Sequence, residues 1–346
     1  MAAASVGHVK AFSTLPRVVL VTRKTPLELL VEHHGTLGQA RFYLESRGQE
    51  IAGDQEAHER FESGLAEVVH AIPPDQRRVR IDREQLDRFL FAPDDIVVIV
   101  GQDGLVPNVA KYLSGQLALG INPDPERYDG VLCRHAPRAM PRLLAWALDP
   151  QGSAFAVERR TMAVARREDG QRLFALNEIF AGHQSHQSAR YRIRVESSGA
   201  SVDAREERHS SSGVVCATGT GATGWARSIC EQSHPQETLP RPDQPQLAWF
   251  VREPFPSVFT QTGMQNGLLG PGEKLVLSSE MGEGGVIFAD GIEADRLELL
   301  SGQVVTLGIS SSTFNLVVAV TSETVTPEKD PARAARPASR RTSRKR

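Results

Sequence analysis

Ile96-Val97-Val98-Ile99-Val100-Gly101-Gln102-Asp103-Gly104-Leu105 decides the fold of this 346-residue chain. Its first five residues are apolar and β-branched at every position, the pattern of a parallel strand covered by helices on both faces. The glycine-bearing turn leads into residues 106–116, where Val109, Tyr112 and Leu113 fall at helical spacing. Toward the N-terminus, residues 79–81 read as a strand and 54–72 as a helix stopped by Pro73-Pro74. Residues 18–21 read as a strand, followed after Thr25-Pro26 by a helical pattern at Leu27, Leu30 and Val31. In the other direction residues 117–121 return to a short strand. Residues 17–149 thus alternate β and α, which predicts an open α/β sheet.

Beyond Pro150 the texture changes. Residues 155–167 and 173–180 flank Glu168-Asp169-Gly170-Gln171, a strong hairpin signal. Strand-like runs recur at 191–195, 214–217, 247–251, 274–277, 286–288, 304–309 and 314–320, with one helix at 223–232. Short strands between Gly and Pro turns predict an all-β second domain, a sandwich or stacked sheets. The expected organisation is a flexible N-terminus (1–16), an α/β domain (17–149), a β-rich domain (150–322) and a disordered basic tail (323–346).

The chain is 40% hydrophobic and 24% charged, an ordinary globular balance. No run approaches the roughly 18 apolar residues of a membrane helix, so no membrane contact is expected. Residues 1–16 lack the continuous apolar region of a secretory signal, and a cytoplasmic location is expected. Cys133, Cys216 and Cys230 lie outside any CxxC or Cys/His ligand spacing and read as reduced thiols. The net charge of −2 conceals a division: residues 327–346 hold eight Lys or Arg against two acids, leaving −8 for the rest. Such a tail can hold nucleic acid by neutralising phosphates, but its composition is also that of a solvated terminus.

Three loops carry the chemistry. Gly101 to Leu105 leaves a buried strand and opens a helix, where backbone N–H groups at Gly101 and Gly104 can face phosphates. Asp103 there suits metal binding or proton acceptance from an attacking hydroxyl; a plain strand-to-helix turn is the structural alternative. Asn177-Glu178 sets an amide and a carboxylate inside an otherwise apolar strand, costly to bury unless partnered. Ribose hydroxyls or a base edge would partner them, as would solvent at a sheet edge. Thr218-Gly219-Thr220-Gly221-Ala222-Thr223-Gly224-Trp225 joins an apolar strand to the lone helix of the β domain. It can offer backbone N–H and hydroxyl groups, with Trp225 as an apolar wall. His183 and His186 read as surface residues, and no Walker, Rossmann or Gly-x-Ser-x-Gly motif occurs.

In order and placement these loops resemble the NAD kinase family, whose members carry a Gly-Gly-Asp-Gly-Thr loop, then an Asn-Glu pair and a Thr-Gly-rich loop. The segment Gly120-Ile121-Asn122-Pro123-Asp124-Pro125-Glu126-Arg127, with Gly130 and Leu132-Cys133, is similar to the Gly-Val-Asn-Thr-Asp-Pro-Glu-Arg segment of the mitochondrial-type branch. Ser211-Ser212-Gly213, Arg252-Glu253-Pro254 and Asp290-Gly291 extend the likeness, which covers roughly residues 17–320. The family's second glycine and threonine are Gln102 and Leu105 here.

The resemblance implies the NAD kinase/diacylglycerol kinase-like fold and transfer of a phosphoryl group from ATP, with Mg²⁺, to the 2′-hydroxyl of the adenosine ribose of NAD or NADH. The family's catalytic aspartate falls on Asp103 and its phosphate-facing glycines on Gly101 and Gly104. Its dinucleotide contacts fall on Asn122, Asn177, Glu178, Thr218, Thr220, Gly221, Thr223 and Trp225. A homodimer or higher homo-oligomer is also implied. A regulator that has lost catalysis, which Gln102 and Leu105 would suit, and a lipid or sugar kinase of the same superfamily are the rival readings.

Overall fold

A computed structural model describes residues 15–197, 205–233, 236 and 238–320. The expected basic tail and most of the N-terminal segment lie outside them. The chain begins with β1 (Val18–Thr22), α1 (Pro26–His34), α2 (Leu37–Glu45), α3 (Ala52–His70), β2 (Arg78–Asp82), β3 (Ile96–Val100), α4 (Leu105–Ala110), β4 (Leu117–Ile121) and α5 (Met140–Leu148). The strands β2-β1-β3-β4 pair in parallel. Alternate residues of β3 feed separate cores: Ile96, Val98 and Val100 face Phe61 and Leu65 of α3 and Leu143 of α5, while Val97 and Ile99 face Val106 and Val109 of α4. Burial on both faces is why all five positions are apolar, each contributing roughly 1.5–3 kcal/mol.

The helix expected over 106–116 is shorter. The N–H groups of Tyr112 and Leu113 reach back only three residues, to Val109 and Ala110. Gly115 at φ 115° then turns the chain. Lys111, with its side chain 2% exposed, pairs with Asp295, a contact that fixes the end of α4 against the second half of the molecule.

That half holds β5 (Phe155–Arg167), β6 (Arg172–Ala175), β7 (Glu178–His183), β8 (Ala189–Ser197), β9 (Glu206–Ser211), β10 (Val214–Ala217), α6 (Trp225–Ser233), β11 (Leu247–Val251), β12 (Asn266–Leu269), β13 (Glu273–Ser279), β14 (Gly285–Ala289), β15 (Ile292–Glu298) and β16 (Val304–Ala319). The order β12-β11-β10-β7-β14-β15 forms an antiparallel six-stranded sheet. Its inner face, including Ile179, Cys216, Trp249 and Ile287, packs on Tyr191, Leu275 and Leu307 of the facing sheet. Cys230 and Ala226 of α6 cover Ala217, Ala248 and Phe250 on its outer face.

β16 joins the two halves. Its first part pairs antiparallel with β13, and Asn315 and Leu316 pair parallel with Leu117 and Ala118 of β4, so one ten-stranded sheet runs through both. The two runs read at 304–309 and 314–320 are this single strand, irregular between Ile309 and Thr313. Among the described residues no helix is long and apolar enough to cross a membrane.

Candidate active site

The turn after β3 keeps one ladder bond, Gly101 N–H to Ile121 O at 3.0 Å, before α4 winds from Gln102 and Asp103. Asp103 does not point freely outward. Its Oδ1 accepts from the N–H groups of Leu132 and Cys133 at 2.9 and 2.8 Å, and Oδ2 from that of Val131 at 2.7 Å. An ionised carboxylate offers about four acceptor positions, so one is left on Oδ2 for a substrate hydroxyl. The Gln102 side chain turns toward β1, where its Oε1 accepts from Arg23 at 2.5 Å. Gly104 is exposed, with open space where a Cβ would stand.

Asn122, 3% exposed, is closed on its own loop. Its Nδ2 donates to Tyr128 O at 2.7 Å and its Oδ1 accepts from Asp124 N–H at 3.0 Å. Asp124 in turn holds Arg60 at 2.8 Å. Burial pushes the Cys133 thiol pKa upward, and the neighbouring Asp103 charge adds to that. All three cysteines are buried and none is in a disulfide.

The Asn177-Glu178 pair does not sit inside one continuous strand: Asn177 lies in a break and Glu178 begins β7. Residues 173–180 break into β6 and β7, which belong to different sheets, and Asn177 occupies the corner. The cause is Asp290, from the β14–β15 turn at φ 53°. Its carboxylate accepts from the N–H groups of Leu176, Asn177 and Glu178 at 2.9, 2.8 and 3.2 Å, withdrawing them from any ladder. Asn108 of α4 donates to Asp290 O at 3.2 Å, which ties this corner to the helix behind Asp103. The side chains of Asn177 and Glu178 are half-buried, and among the described residues neither has a hydrogen-bond partner. Burial first, then the Asp290 charge, pushes the Glu178 pKa up to about 7. Burial likewise raises Asp290 to about 6, against the pull of its three N–H donors.

The Thr-Gly loop packs directly on that corner. Thr218 N–H donates to Asn177 O at 2.8 Å. The Thr218 hydroxyl donates to Leu176 O and accepts from the N–H groups of Thr220 and Gly221, so it shapes the loop and has little capacity left for a ligand. A Cβ on Gly221 would stand 2.3 Å from Asn177 O, and one on Gly219 2.0 Å from Arg241 O. These glycines serve close backbone approach. Thr220 accepts from Arg160 at 3.3 Å, and the exposed Thr223 donates to Thr220 O at 3.2 Å. Trp225 stacks on Phe180, with ring centres 5.9 Å apart, beneath the Arg252 guanidinium at 5.0 Å.

Two clefts adjoin these groups. The larger, about 600 Å³, lies between the carboxyl ends of β1 and β2 (Arg23, Lys24, Asp82, Arg83) and the β15 side (Asp295), with Tyr112 on its wall. The other, about 480 Å³, runs along Trp225, Phe180, Phe288 and Arg252, with the half-buried His183 and the exposed His186 on its rim. Sequence reading missed the larger cleft, Arg160 and the anchoring part of Asp290; only the Asp290-Gly291 turn signal could have flagged the last. Among the described residues the one His/Cys/Asp/Glu group spaced for a metal is Glu28 of α1 with His58 and Glu62 of α3, outside both clefts.

No family model matches the chain. Over 260 residues it is 25% identical to NAD kinase 2, mitochondrial, of Rattus norvegicus, covering 62% of this chain and 60% of that protein. The Homo sapiens protein of the same name is also 25% identical, with 62% and 58% covered. The chain thus spans about 60% of the length of these curated relatives. In fold it is similar to an NAD kinase from Archaeoglobus fulgidus solved in complex with ATP (TM-score 0.52, 18% identity, 87% of this chain and 92% of that one). It is also similar to a yeast NADH kinase complexed with NADH (TM-score 0.54, 14% identity, 88% and 84%). Sequence and fold together support the NAD kinase family, and the expected pairing of an α/β domain with an antiparallel β domain holds.

Proposed function

We propose that this relative of the NAD kinases transfers the γ-phosphoryl group of ATP to the 2′-hydroxyl on the adenosine ribose of NAD or NADH, giving NADP or NADPH and ADP. One observation carries the reading. Asn177 and Glu178 present half-buried amide and carboxylate side chains without partners among the described residues, beside a loop shaped by Thr218. Groups so placed cost free energy unless a polar ligand meets them. A ribose and an adenine edge supply the matching hydroxyls and nitrogens.

In this reading Asn177 and Glu178 hold the adenosine, while the surface of the Thr220, Gly221 and Thr223 loop, whose backbone N–H groups at Thr220 and Gly221 are held by Thr218, and the Trp225 face take the remainder of the dinucleotide. Asn122 contributes by fixing its loop. The donor enters the larger cleft at the carboxyl edge of the parallel strands, the usual ligand position in an open α/β sheet. Of the two glycines expected to face its phosphates, only the exposed Gly104 keeps that role, because the Gly101 N–H is given to Ile121 O. Mg²⁺ arrives on the ATP phosphates as part of the substrate, and the Asp82 and Asp295 carboxylates facing the cleft are hard oxygen donors of the kind it takes. As the 2′-oxygen bonds to the γ-phosphorus, the bond from that phosphorus to the β,γ-bridging oxygen breaks and ADP leaves. The remaining acceptor position on Asp103 Oδ2 receives the hydroxyl proton.

A homodimer or larger assembly and a cytoplasmic location accompany this reading. One observation favours a second reading, that of a nucleotide-binding regulator: three backbone donors occupy Asp103, and Gln102 and Leu105 replace a glycine and a threonine of the family. Incubation with Mg-ATP and either NAD or NADH, with product read by an NADP-specific dehydrogenase, separates the two. Product supports the kinase; a rise in melting temperature with NADH and no product supports the regulator.

A further inference from the structure

Asp103 and the Thr-Gly loop stand on different elements, yet an unbroken line of polar contacts joins them. Val131 donates its N–H to Asp103 Oδ2, and its carbonyl accepts from Arg134 Nε at 2.7 Å. Arg134 Nη1 donates to Glu158 Oε2 at 3.1 Å. The other Glu158 oxygen, Oε1, pairs with Arg160 Nη2 at 2.6 Å, and Arg160 Nη1 reaches the Thr220 hydroxyl at 3.3 Å. Each Glu158 oxygen therefore holds a different arginine, one bound to the segment that clamps Asp103 and one to the dinucleotide loop.

Burial gives this line its stiffness. Side-chain exposure falls from 38% at Arg134 to 26% at Glu158 and 3% at Arg160. Arg160 Nε has no partner among the described residues. Burial pushes the Arg160 pKa down, and Glu158 is the leading charge opposing that, with Asp103 a smaller contributor. A buried cation deprived of its counter-ion cannot stay where it is without large cost. Loss of the Glu158 charge would thus release Arg134 and redirect Arg160, disturbing both ends together.

We propose that Glu158 is a positioning residue: it ties the segment Val131-Leu132-Cys133, which clamps Asp103, to the Thr220 loop, so that a dinucleotide seated on the loop orders the Asp103 clamp. The identity of that ligand rests on the function proposed above, whereas the tie between the two segments does not. By reciprocity, order imposed at the clamp tightens dinucleotide binding by the same factor.

The test is hydrogen exchange on the full chain, comparing the wild type with Glu158→Gln and Arg134→Gln. The second variant breaks the line at its exposed end, where folding is least at risk. Exchange of the 131–133 amides should rise about tenfold in both variants, the scale of coupling through a packed network. The amides of β3 should be unaffected. Unchanged exchange at 131–133 in both variants would overturn the proposal. NADH added to the wild type should slow exchange at 131–133 and 218–221, but in Glu158→Gln only at 218–221; protection of both regions in that variant would also overturn it. If NADH protects neither region of the wild type, the acceptor reading fails while the unliganded comparison still decides the tie. In turnover, Glu158→Gln should lower kcat about tenfold. A loss confined to KM would contradict positioning of Asp103.

Discussion

Gly221→Ala tests whether the Thr-Gly loop and the Asn177 corner work as one unit. The added Cβ would stand 2.3 Å from Asn177 O, 2.7 Å from Asn177 C and 3.0 Å from its Cα, all backbone atoms that no rotamer change can clear. An ordinary carbon–oxygen contact is about 3.3 Å, so loop and corner must separate by about 1 Å. Forcing an extra carbon into such a contact costs about 1–3 kcal/mol. For a domain of this size that is a fall in Tm of about 2–4 °C per kcal/mol. Binding groups shifted by 1 Å lose about 10²-fold in rate. Scanning fluorimetry and initial-rate kinetics with NADH and Mg-ATP measure both. Gly104→Ala is the control, because nothing lies within 4 Å of its Cβ position and its backbone is already helical at φ −64°. It should leave Tm unchanged or slightly raised, by about 0.4–1 kcal/mol of stability. An unchanged Tm and an unchanged kcat/KM in Gly221→Ala would refute the coupling of loop and corner.

Other expectations follow from single contacts. Asp290→Asn keeps the shape but replaces one acceptor oxygen with an amide donor facing backbone N–H groups; it should cost about 1–3 kcal/mol in urea denaturation and raise the dinucleotide KM. Glu178, raised to about 7 from an ordinary 4.5, stabilises the fold fully below pH 4.5, and that contribution is lost as pH rises through 7. The difference is up to about 3 kcal/mol, so Glu178→Gln should flatten the stability profile between pH 5 and 8 while weakening NADH binding; an unaltered profile would remove Glu178 as its source. Lys111→Met leaves Asp295 without its cation, with only the Tyr112 hydroxyl at 3.2 Å, and should destabilise by about 3–5 kcal/mol, whereas the double change Lys111→Met with Asp295→Leu should cost much less. Equal losses in single and double variants would show that the pairing is irrelevant.

The parts legible in the sequence are those fixed by neighbours along the chain. The unbroken apolar run at 96–100 announces burial on two faces, and Val97 and Ile99 do face a different core from Ile96 and Val98. The turn at 168–171 joins β5 to β6 because Asp-Gly suits a tight hairpin. The Thr-Gly stretch lies between β10 and α6 as the strand-to-helix frame requires. Distant partners decided what could not be read. The break between β6 and β7 depends on the Asp290 carboxylate, 114 residues from Leu176. The pairing of β16 with β4 has no local signal, since parallel strands can be brought together from any distance along the chain. Asp103 reads as an open carboxylate until the amides 28 to 30 residues later close on it. Thr218 reads as a ligand donor, and its hydroxyl proves to be committed to the loop's own backbone.

The central claim is that Asp103 handles the ribose proton at a site whose dinucleotide contacts lie elsewhere. Turnover of the wild type and Asp103→Asn, at saturating Mg-ATP with NAD or NADH, tests it most directly when dinucleotide Kd is measured alongside. The expected result is a loss of roughly 10²-fold or more in kcat with Kd little changed. Equal turnover in the two proteins would contradict the assignment of Asp103, and absence of NADP or NADPH from the wild type would contradict the kinase itself.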